Sequence, residues 1–447
     1  MINLSTFLTE GQSPAKARGT YQGRRDRLRK SLNGPALIFS VDQGPGVPNS
    51  WVHLKAFAYQ DPLFLYLTGI VQYPAAVLIL PDSDILFLPP FDAHKAFWEG
   101  EMLGTGDTES LNKAQKITGF SQILPLERLT ETLKSSCPDQ KLGLFWQESK
   151  TGKILKDSHF IQNEGIKSDL CGFTFFQIAD TCWAQKLTFD QQEVKNLKKA
   201  NEITQSAFEK ACKSLPLAKT EYELAGILDG EIQSQTPFGN SFPTILAGGK
   251  NATCLHYTAN TAPLKFGDLV LIDFGAKWHT QHADVSRTLP INGKFDPMQA
   301  ILYQIVLDTQ KTVEKAVCPG VTFDILNELC WSKMAQLLQT RFLKKGGKMK
   351  RPYTKQPHNV GHLLGRQVHD GDAFRDYRST PLQSGWVITN EPGLYGHFSI
   401  SIDGKKYDQT IGIRIEDDLL ITESGCQNLT KCPKSINELE KLIYPLN

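Results

Sequence analysis

The sequence predicts an α+β protein of two domains, a small N-terminal α/β domain and a larger, pseudo-symmetric C-terminal domain. Three observations support this: a length of 447 residues, short strand-like runs that alternate with helical segments in the first third, and a helix–helix–strand order that occurs twice after Cys182. A chain of this length usually forms two or three domains. We therefore predict one domain over residues 1–175 and a second over residues 176–447.

Short apolar runs predict the strands of the N-terminal domain. One run covers Ala36–Ser40, and a later one covers Lys141–Trp146. Between them, Ala75–Leu80 and Asp84–Pro90 flank a turn of proline, aspartate and serine, a pattern typical of a β-hairpin. None of these segments has a cluster of residues typical of a catalytic site.

Capping signals predict two consecutive helices at the start of the C-terminal domain. Thr188 is followed three residues later by Gln191, and Thr220 by Glu223, which is the spacing of a capping box. Apolar residues recur at helical spacing behind the first signal. An apolar strand block then extends to about Pro290.

The same order of elements occurs a second time. Asp296 and Pro297 predict the cap and the first residue of a third helix, and a fourth helix is expected from about Phe323 to Lys345. Strands are predicted for the segment 386–422. Two successive helix–helix–strand units predict a pseudo-symmetric domain in which the two strand blocks meet.

Composition and charge exclude several classes of protein. The formal net charge is +2, from 49 basic and 47 acidic side chains, so we expect no nucleic-acid partner. Nine cysteines without a Cys-x-x-Cys pair argue against a disulfide framework or a thiolate zinc site, and they suit a reducing compartment. Because no apolar run is long enough for a signal segment or a membrane helix, we expect a soluble, cytoplasmic protein with no membrane partner.

Two aspartates flank a predicted β-hairpin in the C-terminal domain. Asp273 ends the apolar run in Asp268–Gly275, which is typical of a strand buried on both faces, and Asp284 lies on the returning segment. An ionised carboxylate in such a strand is costly unless it is paired, hydrogen-bonded or bound to a metal, although an aspartate near a glycine more often caps a turn. A turn between Trp278 and His279 would place the two carboxylates directly opposite each other, with Cβ atoms about 5 Å apart. Such a pair would repel unless a cation lay between them.

Histidines concentrate downstream of these aspartates. Three of them, His358, His362 and His369, fall within twelve positions. A single histidine is more often a structural residue than a metal ligand, but three close together beyond two facing aspartates favour a functional site. The segment lacks the glutamate of the zinc motif His-Glu-x-x-His.

Two further carboxylates come from the late strands. Glu391 ends a predicted strand at a Pro-Gly step, and Glu416 shares one strand face with Arg414. With the two aspartates and one histidine they provide four carboxylates and one imidazole. Such a set suits divalent cations, with Mn²⁺ favoured and Co²⁺ or Zn²⁺ as alternatives. Two divalent ions would balance the four negative charges, and a pair of metals about 3.5–4 Å apart can activate a shared hydroxide.

Five sequence motifs resemble, in their order and spacing, those of the pita-bread metallopeptidases, and most closely the aminopeptidase P branch. They are NATCLHYTAN, LIDFGAKWHTQHADVSRTLP, HNVGHLLGRQVHD, TNEPGLY and GIRIEDDLLIT. The resemblance covers the chain from about Thr188 to Thr430 and, more weakly, the N-terminal domain through YQDPLFLYLTG. It implies a pita-bread catalytic domain, an aminopeptidase P-like N-terminal domain, and a dinuclear-metal enzyme. The implied reaction releases the first residue from peptides with proline second.

The resemblance also implies roles for individual residues. Asp284 and Glu416 would bridge the two ions, and Glu391 would act as general base and then acid. The implied sets are metal ligands Asp273, Asp284, His362, Glu391 and Glu416; catalytic residues His256, His369 and Glu391; and substrate-binding residues His256, His358, His369 and Arg414.

Some alternatives stay open at this point. Asn359 stands where relatives commonly have glycine, and Gly396–Thr410 does not clearly carry the arginine-rich loop by which prolidases hold a dipeptide, although Lys405 or Lys406 could replace it. This favours an aminopeptidase over a prolidase. The same fold also hosts creatinase and non-catalytic binding modules, but all five ligand positions here hold ligand-capable residues. The resemblance further implies a homo-oligomer, either a dimer or a tetramer.

Overall fold

A computed structural model describes residues 6–40, 61–148, 153–154, 158–371 and 377–444. The chain divides into two compact units that meet in sequence at Lys186 and Leu187. Both units mix helices and strands, which confirms the predicted α+β class with two domains. The predicted ranges, 1–175 and 176–447, stay a prediction.

One six-stranded sheet forms the centre of the first unit. Its strands are β1 (Ala36–Phe39), β2 (Ala76–Ile79), β3 (Asp84–Leu88), β4 (Gln122–Pro125), β5 (Lys141–Leu144) and β6 (Thr174–Gln177), in the order β4-β3-β2-β1-β5-β6. The antiparallel pairing of β2 with β3 confirms the predicted hairpin. Alternate residues of β1 enter two hydrophobic cores, Ala36 and Ile38 on one face and Leu37 and Phe39 on the other. Both faces of the sheet are therefore covered.

The described part of the first unit contains seven α-helices. They are α1 (Pro14–Ser31), α2 (Pro62–Thr68), α3 (Ala93–Glu99), α4 (Thr108–Thr118), α5 (Leu129–Ser136), α6 (Ser158–Asp169) and α7 (Ala179–Leu187). Side chains of α1, α2, α4 and α7 enter the first core, and those of α5 and α6 enter the second.

The second unit repeats the order helix, helix, strands, as predicted. Its first half contains α8 (Gln191–Ser214), α9 (Glu221–Gln235), β7 (Ile245–Gly248), β8 (Leu269–Phe274), β9 (Lys277–Trp278), β10 (Gln281–His282) and β11 (Val285–Pro290). Its second half contains α10 (Pro297–Ala316), α11 (Phe323–Arg341), β12 (Lys348–Lys350), β13 (Val387–Asn390), β14 (Gly393–Ile402), β15 (Lys405–Arg414), β16 (Asp417–Ile421), β17 (Cys426–Asn428) and α12 (Ile436–Ile443).

The sequence misplaced one of the helix caps. The predicted cap at Thr188 is wrong, because α8 begins only at Gln191; Phe189, before the helix, donates its backbone N–H to Gly385 O. Asp190 is the cap of α8: its carboxylate accepts from the backbone N–H of Glu193, whose side chain accepts from the N–H of Asp190. The other two predicted caps, at the starts of α9 and α10, are confirmed.

Three-stranded sheets of the second unit have the orders β11-β8-β7, β12-β14-β15 and β13-β16-β17. Ile411, Ile413 and Ile415 point into the main hydrophobic core, whereas Arg414 and Glu416 face a cavity on the opposite side. This confirms the predicted division of the two strand faces. Among the described residues, no helix combines the length and apolar character needed to span a bilayer.

A buried ion-pair network connects β11, in the first half of the second unit, with β16 in the second half. The guanidinium of Arg287 is fully buried, pairs with Asp417 at 2.7 Å and donates to the carbonyl oxygen of Glu416 at 2.6 Å. Lys434 also pairs with Asp417. Burial alone would raise the pKa of Asp417, but the two cations outweigh burial and lower that pKa to about 2. The network therefore supports the backbone at Glu416.

Candidate metal centre

A cavity of about 630 Å³ lies within the second unit. Its apolar wall includes Phe242, Leu255 and Val368. Its polar wall includes every residue that the sequence analysis named as a ligand, catalytic group or substrate contact, namely His256, Asp273, Asp284, His358, His362, His369, Glu391, Arg414 and Glu416. The fold thus brings residues from several strand ends and loops to one cavity, a common arrangement for functional sites.

Asp273 and Asp284 face the same cavity but are not directly opposite each other. The cross-strand partner of Asp273 is Ser286, and the hairpin turns between His279 and Thr280, one residue later than predicted. His279 has φ 54°, the left-handed conformation found in tight hairpin turns. The predicted pairing is therefore wrong by two positions. Because side chains alternate with a period of two, this shift leaves Asp284 on the same face, diagonal to Asp273.

The loop that carries His362 runs beside β13 and is not helical. The backbone N–H of His362 donates to Thr389 Oγ1 at 3.0 Å, and Thr389 N–H donates to His362 O at 2.9 Å. Further along, Glu391 N–H donates to Val360 O at 2.8 Å. A Cβ on Gly361 would lie 2.0 Å from Thr389 O, so only glycine permits this close pairing. The pairing places His362 Nε2 3.7 Å from Glu391 Oε1.

Three of the predicted ligands lie close enough to hold one metal ion. Single donor atoms of Asp284, His362 and Glu416 lie within 4.8 Å of one another. His362 Nδ1 is 3.1 Å from Leu363 O; because a carbonyl oxygen only accepts, Nδ1 has the proton and Nε2 presents its lone pair to the carboxylates. Asp273 adds a buried Oδ1 without a hydrogen-bond partner in the described part of the chain. This donor set fits a divalent cation.

Burial and mutual repulsion raise the proton affinity of the carboxylates. Burial, followed by the charge of Asp273, raises the pKa of Asp284 well above its ordinary value. Burial and neighbouring carboxylates likewise raise the pKa of Glu416, and burial raises the pKa of Glu391 to about 7. Without cations the protonated forms of all three groups are favoured, and Glu391 would lose its proton only at about pH 7. Divalent ions that displace the protons would relieve the repulsion.

Three polar side chains, Arg414, Ser286 and Tyr395, form a hydrogen-bond network with these carboxylates. Arg414 forms an ion pair with Asp273, and its Nε donates to Ser286 Oγ at 2.8 Å. Ser286 Oγ in turn donates to Glu416 Oε2 at 2.7 Å, and Arg414 Nη1 donates to the Tyr395 hydroxyl at 3.2 Å. Sequence reasoning named Arg414 but missed Ser286 and Tyr395. Ser286 could have been found from strand alternation, because it lies two positions after Asp284 and therefore on the same strand face.

The remaining predicted histidines line the cavity in different environments. The ring of His369 stacks on that of His362, with centroids 3.9 Å apart. His358 donates from Nδ1 to the carbonyl oxygen of the next residue at 2.7 Å and accepts from the Tyr395 hydroxyl at Nε2, 3.1 Å away. Burial lowers the pKa of His358 to about 4, so this ring is neutral. His256 is exposed, and its ring has no hydrogen bond to another described residue.

Two further cavity residues had no signal in the sequence. Tyr377 and Arg378 line the cavity, and Arg378 Nε donates to the Tyr377 hydroxyl at 3.2 Å. They lie in an irregular segment without apolar periodicity, outside the five motifs. Only the three-dimensional structure places them at the site.

Family profiles match both units. The profile of metallopeptidase family M24 matches residues 195–423, and the profile of the aminopeptidase P N-terminal domain matches residues 21–144.

Individual proteins are similar over most of the chain. The Xaa-Pro aminopeptidase of Escherichia coli is 30% identical over 446 residues, which cover 96% of this chain and 98% of that protein. Intermediate cleaving peptidase 55, a mitochondrial protein of Arabidopsis thaliana, is 33% identical over 98% of this chain and 85% of its own. Among solved structures, zinc-substituted E. coli aminopeptidase P in complex with product has a TM-score of 0.77 and 27% identity, and the match covers 95% of this chain and 98% of that one.

Proposed function

The chain belongs to metallopeptidase family M24, and from this premise we propose that it is an Xaa-Pro aminopeptidase with a dinuclear metal centre. It releases the N-terminal residue from peptides that have proline at the second position. The observation that supports this most strongly is the convergence of the donor atoms of Asp284, His362 and Glu416 in one cavity with further histidines.

Five residues would hold two divalent ions in this proposal: Asp273, Asp284, His362, Glu391 and Glu416. Ions bound there would act as Lewis acids on the scissile carbonyl and would lower the pKa of the attacking water. The oxygen-rich set favours Mn²⁺, with Co²⁺ or Zn²⁺ as alternatives.

Other steps belong to side chains of this chain. Glu391, at the end of β13, takes the proton from the attacking water and returns it to the proline nitrogen, as general base and then general acid. His369 donates a hydrogen bond to the peptide carbonyl oxygen as it gains negative charge, and His256 contacts the substrate. Arg414 keeps Asp273 oriented, and His358 shapes the pocket wall through its bond with Tyr395.

Cleavage assays with matched peptides test the reaction. With Mn²⁺ present, the purified protein should release the first residue from a peptide of three or more residues with proline second, and should leave the same peptide with alanine second uncleaved. Cleavage of an Xaa-Pro dipeptide alone would instead indicate a prolidase. Failure to cleave either substrate with any of the three metals would contradict the proposal.

Removal of one ligand tests the assignment of the site. Glu416→Ala should abolish turnover, because it removes one of the three groups whose donor atoms lie within 4.8 Å of one another. Glu423→Ala removes an exposed carboxylate from the same region of the chain and should leave turnover unchanged. Full activity of Glu416→Ala in a peptide-cleavage assay would refute the assignment.

Location and assembly complete the proposal. All nine cysteines are free, which suits the reducing cytoplasm, whereas one relative is named as mitochondrial. Cell fractionation would decide between these compartments. The dimer or tetramer stays a prediction that light scattering after size-exclusion chromatography can test, and the absence of nucleic-acid and membrane partners also stays a prediction.

A further inference from the structure

We propose that Glu221 is a positioning residue for His256 and that it acts through the neighbouring Tyr257. This inference rests on the proposed function, in which His256 contacts the substrate. It assigns a role to a carboxylate that lies outside the cavity and outside all five sequence motifs.

The ring of His256 depends on its backbone for its position. It is exposed, and no other described side chain or carbonyl holds it by a hydrogen bond. Its neighbours alternate, with Leu255 and Tyr257 half-buried and Thr258 exposed. A contact that holds the Tyr257 side chain toward the protein interior therefore also sets the direction of the adjacent His256 side chain.

A single buried carboxylate holds this loop at several points. Glu221 is fully buried, and its Oε1 accepts from Gly248 N–H at 2.8 Å and from Asn251 Nδ2 at 3.0 Å. Its Oε2 accepts from the Tyr257 hydroxyl at 2.9 Å and from Ala262 N–H at 2.8 Å. The four donors come from the start, the middle and the end of the segment that contains His256.

The chemistry of the four bonds requires a carboxylate. Both oxygens of Glu221 receive donors, and an ionised carboxylate is the side chain that offers acceptors at both positions. Glu221 is also the first residue of α9, where the helix dipole favours a negative charge. Glutamine has the same shape, but its NH₂ group would face two of the donors, so Glu221→Gln breaks the anchor without creating a cavity.

Tyr257 links the anchor to the site. Its ring packs beside a small cluster that includes Ala252, Leu271 and Tyr395, while its hydroxyl reaches Glu221. The same hydroxyl accepts from Asn251 Nδ2 at 3.1 Å, and Glu221 also holds that amide. Loss of the Glu221 contacts would therefore loosen the Tyr257 ring, and the adjacent His256 would move with it. Misplacement of a catalytic group by about 1 Å can cost about 100-fold in rate.

Kinetics with a double-mutant cycle form the first test. Glu221→Gln should lower kcat/KM for an Xaa-Pro peptide about tenfold or more, whereas Glu231→Gln on the same helix should leave it unchanged. In a His256→Ala background, Glu221→Gln should cause little further loss, because the residue through which it acts is absent. An equal proportional loss in both backgrounds would overturn the inference, since it would indicate a structural effect independent of His256.

Spectroscopy of His256 provides a readout that does not need activity. In zinc-loaded protein with ¹³C-labelled histidine, the His256 signal is identified by its loss in His256→Ala. Glu221→Gln and Tyr257→Phe should shift or broaden it, and the matched exposed variant Tyr222→Phe should not. An unchanged signal in both anchor variants would overturn the positioning role. A wild-type protein that fails to cleave Xaa-Pro peptides would contradict the proposed function. The His256 signal would still show whether Glu221 positions this histidine.

Discussion

Replacement of Ser286 by alanine tests whether the hydrogen bonds of this residue to Glu416 and Arg414 raise the metal affinity of the site. The Ser286 hydroxyl is fully buried, donates to Glu416 Oε2 at 2.7 Å and accepts from Arg414 Nε at 2.8 Å. Alanine removes both bonds at once. It leaves one guanidinium N–H without an acceptor and lets the Glu416 carboxylate rotate.

The size of the effect follows from these two bonds. A hydrogen bond to a charged group contributes about 1.5–3 kcal/mol, and loss of a group that orients a metal ligand lowers metal affinity about 10–100-fold. A change of this size corresponds to about 1.4–2.8 kcal/mol in binding free energy. We therefore expect Ser286→Ala to weaken Mn²⁺ binding by one to two orders of magnitude.

Isothermal titration of the metal-free protein with Mn²⁺ measures this directly. The chain offers a matched control in Ser206, whose hydroxyl donates to Glu231 Oε1 at 3.1 Å and accepts from Gln235 Nε2 at 2.9 Å, outside the cavity. Ser206→Ala should bind Mn²⁺ as the wild type does. Wild-type affinity in Ser286→Ala, or an equal loss in both variants, would refute the reasoning.

Three more outcomes concern acidity and packing. The free energy of unfolding should fall by about 2 kcal/mol between about pH 4 and about pH 2, because Asp417 has a pKa of about 2 when folded and about 3.9 when unfolded. An Asp417→Asn variant whose melting temperature falls just as steeply with pH would contradict this. Metal affinity should rise as the pH passes about 7, because Glu391 loses its proton there. Calorimetry in buffers of different ionisation enthalpy should detect the released proton, and a metal affinity independent of pH would contradict this prediction. Gly412→Ala should lower the free energy of unfolding by about 1–3 kcal/mol, because its Cβ would lie 2.1 Å from the carbonyl oxygen of Ala252. Gly425→Ala places its Cβ in open space and should melt like the wild type. Equal melting temperatures of the two variants would rule out the predicted clash.

Strand faces were predictable because alternation is a local property. The pattern in GIRIEDD placed Ile413 on the core side and both Arg414 and Glu416 on the cavity side, and the structure agrees. The caps of α9 and α10 were predictable for the same reason, since a capping box involves residues only three positions apart.

Features that depend on distant contacts were not predictable. Phe189, just before α8, bonds to Gly385, a contact with a residue far along the chain that no local pattern indicates. The hairpin register depended on His279, which adopts a positive φ without being a glycine. Ser286 and Tyr395 carry no motif of their own and gain their importance from Arg414, which reaches both.

The choice among the histidines had a different basis. Residue chemistry alone indicated one ligand within the cluster of three, and the resemblance to a family selected His362. The structure places His362, and not His358, beside Asp284 and Glu416. Its role as a ligand stays a prediction until a metal is observed.

Anomalous diffraction from Mn²⁺-loaded crystals tests the metal centre most directly. We expect two peaks inside the cavity, bound by Asp273, Asp284, His362, Glu391 and Glu416. An empty cavity, or ions held elsewhere with these side chains turned away, would contradict the proposed centre.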